Sequence, residues 1–164
     1  MRERWMLRNS GINLDKLSRE CGISKWEAAL CANRGLVNRE EINQFLNPRL
    51  EDLYDGSLMK DCLKGVGLIK EAILSKKKLV VYGDYDCDGV ISTYIFYKAL
   101  KDLGALVDYY IPSREEEGYG MNSSRIEKLK EEGYQVILTC DNGISAFEQV
   151  RLAVDLGFTV VITD

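Results

Sequence analysis

The sequence contains no histidine among its 164 residues. Without an imidazole there is no Ser/His/Asp triad, no Cys/His dyad and no zinc site with histidine ligands. If this chain takes part in hydrolytic chemistry, that chemistry must therefore depend on carboxylates, on a metal ion, or on residues that the chain does not contain.

Paired cysteines, long apolar runs and excess positive charge are also missing. The five cysteines form no C-x-x-C pair, and no apolar run reaches the length of a signal-peptide core or a membrane span. We therefore expect a cytoplasmic protein with reduced thiols and no membrane partner. The net charge of −4 excludes broad electrostatic wrapping of nucleic acid, although a net charge does not reveal a local groove.

The residues that are present form two halves with different hydrophobic patterns. Residues 1–75 show helical periodicity and carry capping residues at Asn13, Ser24, Asn38 and Ser57. In residues 76–164, helices alternate with strands. The strands are expected at 79–83, 105–111, 134–140 and 158–163, and the first helix is expected at 90–104. This order predicts right-handed crossovers and a parallel sheet. We thus predict a doubly wound α/β domain with an N-terminal helical extension.

Carboxylates follow three of the predicted strands. Asp84, Asp86 and Asp88 follow the first strand, Asp141 follows the third and Asp164 follows the last. Because the carboxyl ends of parallel strands meet at one edge, we expect these side chains to converge in a crevice there. A cluster of hard oxygen ligands selects Mg²⁺ or Mn²⁺. A single aspartate after a strand is ordinarily a turn residue or a helix cap. The prediction therefore depends on the acids occurring together at the ends of three strands.

Two other site types begin with a similar acidic loop. An EF-hand loop starts D-x-D-x-D-G, but its twelfth residue should be a bidentate Glu and is Ile95 here, and the preceding segment is strand-like. Phosphatases of the haloacid dehalogenase type carry D-x-D after a strand, with a Thr or Val where this chain has Asp88. Neither type explains Asp141 and Asp164, although Asp141-Asn142-Gly143 taken alone is a good turn.

Four ordered segments resemble motifs of the DHH phosphoesterase family. They are VVYGDYDCDG (80–89), IPSREEEGYGMN (111–122), LTCDNGIS (138–145) and VVITD (160–164). Together with the helical lead-in at 30–55, the resemblance covers nearly the whole chain. Within the family, the lead-in and the second segment are most similar to the 5′→3′ exonucleases that act on single-stranded DNA.

The resemblance implies a two-metal site, with Mn²⁺ or Mg²⁺, that hydrolyses phosphodiesters. On the matching positions, the first-motif ligands are Asp86 with either Asp84 or Asp88, and Asp141 is the bridging carboxylate. Asp164 matches the aspartate of the third motif, which two histidines follow in the family. The sequence ends at that aspartate. We therefore expect the N-terminal piece of a longer protein, inactive by itself.

The segment after the second predicted strand is a candidate for substrate binding. Arg114 has the planar fork that binds phosphate, and Tyr119 offers a ring on which a base can stack. Gly118 and Gly120 would let a ligand approach the backbone closely. The alternative is an ordinary glycine-rich surface loop whose three glutamates, 115–117, repel DNA.

The implied function is exonuclease action on single-stranded DNA in repair and recombination, with repair and replication proteins as candidate partners. Two alternatives remain open: a phosphodiesterase of short oligonucleotides or cyclic dinucleotides, and a catalytically silent replication scaffold. The intact acids argue against the scaffold, which has no need to hold repelling carboxylates together.

Overall fold

The computed structural model describes residues 11–115, 118 and 120–164, and the chain divides into a unit that ends at Leu58 and a unit from Met59 to Asp164. Within these described ranges, no helix is both long enough and apolar enough to cross a membrane. The regular elements, in chain order, are α1 (Leu14–Cys21), α2 (Lys25–Asn33), α3 (Arg39–Leu46), α4 (Cys62–Leu74), β1 (Lys78–Tyr82), α5 (Cys87–Asp102), β2 (Leu106–Tyr110), α6 (Ser123–Glu131), β3 (Val136–Thr139), α7 (Phe147–Asp155) and β4 (Thr159–Val161).

The described part of the first unit contains three short α-helices that begin at side-chain caps. Asn13, Ser24 and Asn38 each accept a hydrogen bond from the backbone N–H three residues on, at 2.9 to 3.2 Å. Such caps satisfy amide groups that have no partner inside the helix. These three predicted caps are confirmed. The helices share a small buried core, formed by Leu17, Ala28, Cys31, Ala32 and Ile42.

The second unit is built on a four-stranded parallel sheet in the order β2–β1–β3–β4. Side chains of β1 alternate between the two faces, as a strand's period of two requires. Leu79 and Val81 pack on one face with α4 and α5, whereas Val80 and Tyr82 pack on the other with α6 and α7. The predicted α/β fold with a parallel sheet is therefore confirmed.

The order of the strands reverses between β1 and β3. From β1 the chain crosses to β2 on one side, and it then returns to place β3 on the other side of β1. Such a switch point opens a crevice beyond the carboxyl ends of the two central strands. Tyr82 at the end of β1 pairs with Thr139 at the end of β3. The segments that follow these strands therefore emerge side by side in that crevice.

Helices α4 and α5 begin at residues that the sequence pattern did not indicate. Helix α5 begins at Cys87, three residues before the predicted start, because Asp86 caps it, and Asp88 therefore lies inside the helix. Helix α4 begins at Cys62 and is not capped by Ser57, whose own segment forms a 3₁₀ turn. Both corrections reflect local geometry that hydrophobic periodicity does not specify.

The boundary between the structural units lies before the change in sequence pattern at residues 75 and 76. The second unit begins at Met59 because α4 belongs to it: Ala72 is buried against the sheet, and Ile73 packs beside it. We predict that the protein divides into a helical extension at 1–75 and an α/β domain at 76–164. This division stays a prediction.

Candidate metal centre

The loops after β1 and β3 lie next to each other at the switch point. Tyr82 and Thr139 are paired, so Asp84 and Asp141 each lie two residues beyond a paired position. The ladder continues past the strand ends, since Cys140 N donates to Tyr82 O at 3.1 Å. The parallel register thus brings acids from two separate strands to one edge of the sheet.

Asp84 is the most buried of these acids. None of its surface is exposed, and neither carboxylate oxygen has a hydrogen-bond partner among the residues that the structure describes. A carboxylate that has lost its water without gaining a donor or a cation opposes folding. Its oxygens are hard anionic donors of the kind that Mg²⁺ and Mn²⁺ prefer. The environment of Asp84 therefore fits a divalent cation.

Two glycines let helix α5 approach the backbone of Asp84. A Cβ at Gly89 would lie 2.5 Å from the carbonyl oxygen of Asp84 and 2.8 Å from its Cα, well inside contact distance. A Cβ at Gly83 would lie 1.8 Å from Oγ1 of Thr93, a buried side chain that donates to Gly89 O at 2.6 Å. Because neither glycine has a side chain, the start of the helix can lie directly against the acidic loop.

Asp86 and Asp88 lie at the N-terminal end of α5. Asp86 caps the helix, because its Oδ1 accepts a hydrogen bond from Gly89 N at 2.9 Å, and Asp88 lies in the first turn. The N-terminus is the positive end of the helix dipole, so it favours both carboxylates. Capping therefore accounts for one oxygen of Asp86. It does not account for the burial of Asp84 or for the acid that follows β3.

Asp141 faces these acids from the end of β3. Partial burial raises the pKa of its carboxyl group, and the negative charges of Asp86, Asp88 and Asp84 raise the pKa further. Of these three charges, that of Asp86 raises the pKa of Asp141 most, so its carboxyl group lies near that of Asp141. The backbone of Asp141 is left-handed, with φ 58°, which Asp tolerates better than most residues do. The predicted convergence of Asp86 and Asp141 is thus present in the structure.

Asp164 reaches the same edge from β4. Its Oδ2 accepts a hydrogen bond from Ile144 N in the loop after β3 at 2.8 Å, and Thr163 Oγ1 donates to Thr139 O at 2.8 Å. Within the described part of the chain, however, no three acidic or cysteine side chains lie close enough together to surround one ion. The structure therefore places the acids at one edge, and their roles as ligands stay a prediction.

The loop after β2 lies beside the acidic loop. The guanidinium carbon of Arg114 is 5.6 Å from the ring centre of Tyr85, within the range of a cation–π contact. Gly118 and Gly120 have φ of 75° and 82°, and open space surrounds the position of a Cβ at each. Tyr119, the predicted stacking residue, lies outside the described residues. The contact of this loop with substrate stays a prediction.

Sequence reasoning missed Asn142, which it treated as part of a turn. Only 1% of this residue is exposed, and its Nδ2 donates to Tyr82 O at 3.1 Å and to Cys140 O at 3.0 Å. These carbonyl groups belong to the ends of two neighbouring strands. The one signal in the sequence was its position directly after Asp141, which does not distinguish a buried bridge from a solvated turn.

Known proteins with similar sequences are nucleases. Residues 78–164 match the sequence model of the DHH family, N-terminal domain. Over 162 residues the chain is 38% identical to the single-stranded-DNA-specific exonuclease RecJ of Bacillus subtilis strain 168, a match that covers 98% of this chain and 21% of that protein. The chain thus spans about a fifth of the length of the curated relatives that it matches.

Two crystal structures of RecJ resemble this structure. Exonuclease RecJ bound to manganese is 37% identical, with a TM-score of 0.60, over 64% of this chain and 27% of that protein chain. RecJ from Thermus thermophilus in complex with Mn²⁺ is 26% identical, with a TM-score of 0.61, over 92% of this chain and 20% of that one. The resemblance that the motifs indicate is confirmed. The chain belongs to the DHH family.

Proposed function

We propose that this chain is the N-terminal part of a metal-dependent 5′→3′ exonuclease that hydrolyses the phosphodiester bonds of single-stranded DNA. The buried Asp84 carboxylate, with Asp141 at the same edge of the sheet, is the observation that supports this function most strongly. The relatives support the substrate, since their name is single-stranded-DNA-specific exonuclease. A scaffold without catalysis would gain nothing from keeping such a carboxylate.

We propose Mn²⁺ or Mg²⁺ as the cofactor, since the similar RecJ structures contain Mn²⁺. When bound as a pair, such ions supply a water molecule of lowered pKa and stabilise charge on the phosphate. In this chain, the N-terminus of α5 orients Asp86 and the left-handed turn after β3 orients Asp141. The proposed ligands in this chain are Asp84, Asp86, Asp88, Asp141 and Asp164.

We also propose a cytoplasmic role in DNA repair and recombination, with repair and replication proteins as candidate partners. Single-stranded DNA, which the names of the relatives give as their substrate, is an intermediate of both processes. The sequence composition supports this setting, since it includes no cysteine pair of the C-x-x-C type and no long apolar run.

Mn²⁺ binding and nucleotide release test the two parts of the proposed function. The chain alone is expected to bind Mn²⁺ and to release no nucleotides from 5′-labelled single-stranded DNA, because it contains none of the histidines that the third family motif implies. A fusion of this chain to the remaining part of Bacillus subtilis RecJ is expected to digest that DNA when Mn²⁺ is present, and Asp141→Ala is expected to abolish the digestion.

The controls for this experiment are EDTA and the exposed Asp155→Ala variant of the same fusion. EDTA should stop digestion, and Asp155→Ala should leave it unchanged. Strong nucleotide release by the chain alone would contradict its expected inactivity. Digestion that continues in EDTA, or in the Asp141→Ala fusion, would contradict the proposed metal centre.

Arg114→Ala in that fusion is expected to weaken the binding of single-stranded DNA by roughly 10- to 150-fold. An arginine that donates to a phosphate contributes roughly 1.5–3 kcal/mol, and losing one phosphate contact lowers the salt slope by about 0.7. Fluorescence anisotropy of a labelled oligonucleotide at several salt concentrations, without divalent cations, measures both. The affinity for Mn²⁺ should not change. The control is Lys128→Ala on the exposed surface of α6, and equal DNA affinity in the Arg114 variant and the parent would refute this role.

A further inference from the structure

The side-chain amide of Asn142 has one orientation that satisfies its surroundings. Its Nδ2 lies 3.1 Å from Tyr82 O and 3.0 Å from Cys140 O. The reversed amide would place Oδ1 against two carbonyl oxygens with no hydrogen between them. The NH₂ group therefore occupies the gap between the strand ends. Oδ1 is buried, without a hydrogen-bond partner among the described residues.

The hydrogen bond to Tyr82 O crosses the switch point of the sheet, whereas the one to Cys140 O stays within the segment after β3. Tyr82 is the last residue of β1, and Cys140 directly follows β3. The same Tyr82 carbonyl also accepts the backbone N–H of Cys140 at 3.1 Å. Asp141 lies between Cys140 and Asn142, so both of its neighbours are bonded to the end of β1. The amide thus fixes the separation of the two loops where the crevice opens.

The backbone of this turn needs such an anchor. Asp141 has φ 58° and Gly143 has φ 114°, so positive values lie on both sides of Asn142. A non-glycine residue in the left-handed region is disfavoured unless the surrounding structure holds it there. Asp141 is also repelled by Asp86, whose carboxyl group it faces. Without the bonds of Asn142, both the backbone preference and the charge would move Asp141 away from that position.

We propose that Asn142 is a positioning residue of the candidate metal centre. Its amide ties the loop after β3 to the end of β1 and so holds the Asp141 carboxylate opposite Asp86. This inference rests on the proposed metal-dependent function, and Asn142 acts through Asp141 and not as a ligand. Residues that orient a metal ligand typically change metal affinity 10- to 100-fold when they are replaced.

Asn142→Leu tests this role, since the leucine side chain has the same branching and makes no hydrogen bond; Asn142→Ala serves if the larger leucine does not fit and the variant does not fold. Mn²⁺ affinity is measured by the EPR signal of free Mn²⁺, well below each unfolding temperature. We expect a roughly 10- to 100-fold weaker affinity than in the parent chain. The matched control is Asn13→Ala, which removes the cap of α1. Asn13 accepts from Lys16 N at 3.0 Å, and its loss should leave the affinity within about twofold.

A second measurement needs no metal. Backbone couplings and chemical shifts from NMR report the φ angle of Asp141, which should be left-handed in the parent and in Asn13→Ala and should leave that region in the Asn142 variants. An unchanged Asp141 signal in those variants would overturn the inference, even if the parent binds no Mn²⁺ and the proposed function itself fails. If the parent binds Mn²⁺, equal affinity in the Asn142 variants would also overturn it, whatever the change in stability.

Discussion

Asp84→Asn is expected to stabilise the chain in the absence of divalent cations and to remove most of the stabilisation that Mn²⁺ provides. The Asp84 carboxylate is fully buried without a partner among the described residues, so its charge opposes folding. Asparagine keeps the shape and removes the charge, which should raise the free energy of unfolding in EDTA by roughly 1–3 kcal/mol. The parent at an Mn²⁺ concentration of about 100 times Kd gains about 2.7 kcal/mol from binding, and the variant should gain little.

Urea unfolding followed by circular dichroism, in EDTA and in Mn²⁺, measures both effects. The matched control is Asp155→Asn on the exposed surface of α7, which should stay within about 0.5 kcal/mol of the parent in both conditions. Two results would contradict the prediction: a lower urea midpoint than the parent in EDTA, or the same gain from Mn²⁺ as the parent shows.

Gly89→Ala is expected to lower the free energy of unfolding by about 2–3 kcal/mol, as overpacking in a core does. The new Cβ would lie 2.5 to 2.8 Å from the carbonyl oxygen, carbonyl carbon and Cα of Asp84. These are backbone atoms and have no rotamer by which to move aside. Either α5 or the acidic loop must shift, so we also expect weaker Mn²⁺ binding. Thermal and urea unfolding measure the first effect, and titration with Mn²⁺ measures the second.

Gly67→Ala is the matched control, because Gly67 lies inside helix α4 and, apart from the neighbouring backbone of that helix, no atom of the described residues lies within 4 Å of its Cβ position. Alanine in a helix interior is favoured over glycine by roughly 0.5–1 kcal/mol, so this variant should be slightly more stable than the parent. The two substitutions are chemically identical and should have opposite signs. A Gly89→Ala protein as stable as the parent would show that the close approach of α5 to Asp84 is absent in solution.

Much of the second unit follows from patterns within short segments. The apolar runs that end at Tyr82 and Thr139 form neighbouring parallel strands, and the acids that follow them meet at one edge, as the sequence predicts. The prediction succeeded because strand periodicity and the right-handed crossover restrict the topology strongly. The same reasoning placed Arg114 beside this edge, where the structure has it near Tyr85.

Element boundaries were less predictable. The pattern started α5 after Gly89, whereas the helix begins at Cys87 with Asp86 as its cap. Aspartate is equally suited to a turn, a cap and a metal ligand, so its type does not distinguish these roles. The pattern also placed α4 with the helical half of the chain, although Ala72 packs against the sheet.

Local patterns in the sequence were enough to establish the parallel α/β fold and the acids at its strand ends, because hydrophobic periodicity is visible within each segment. The folded arrangement alone established that Asp84 is buried while Asp86 and Asp88 are exposed, and that Asn142 bridges two strands. Burial and long-range hydrogen bonds depend on which segments meet in space. Asn142 and its acceptor Tyr82 are 60 residues apart in the chain, and no local pattern connects them.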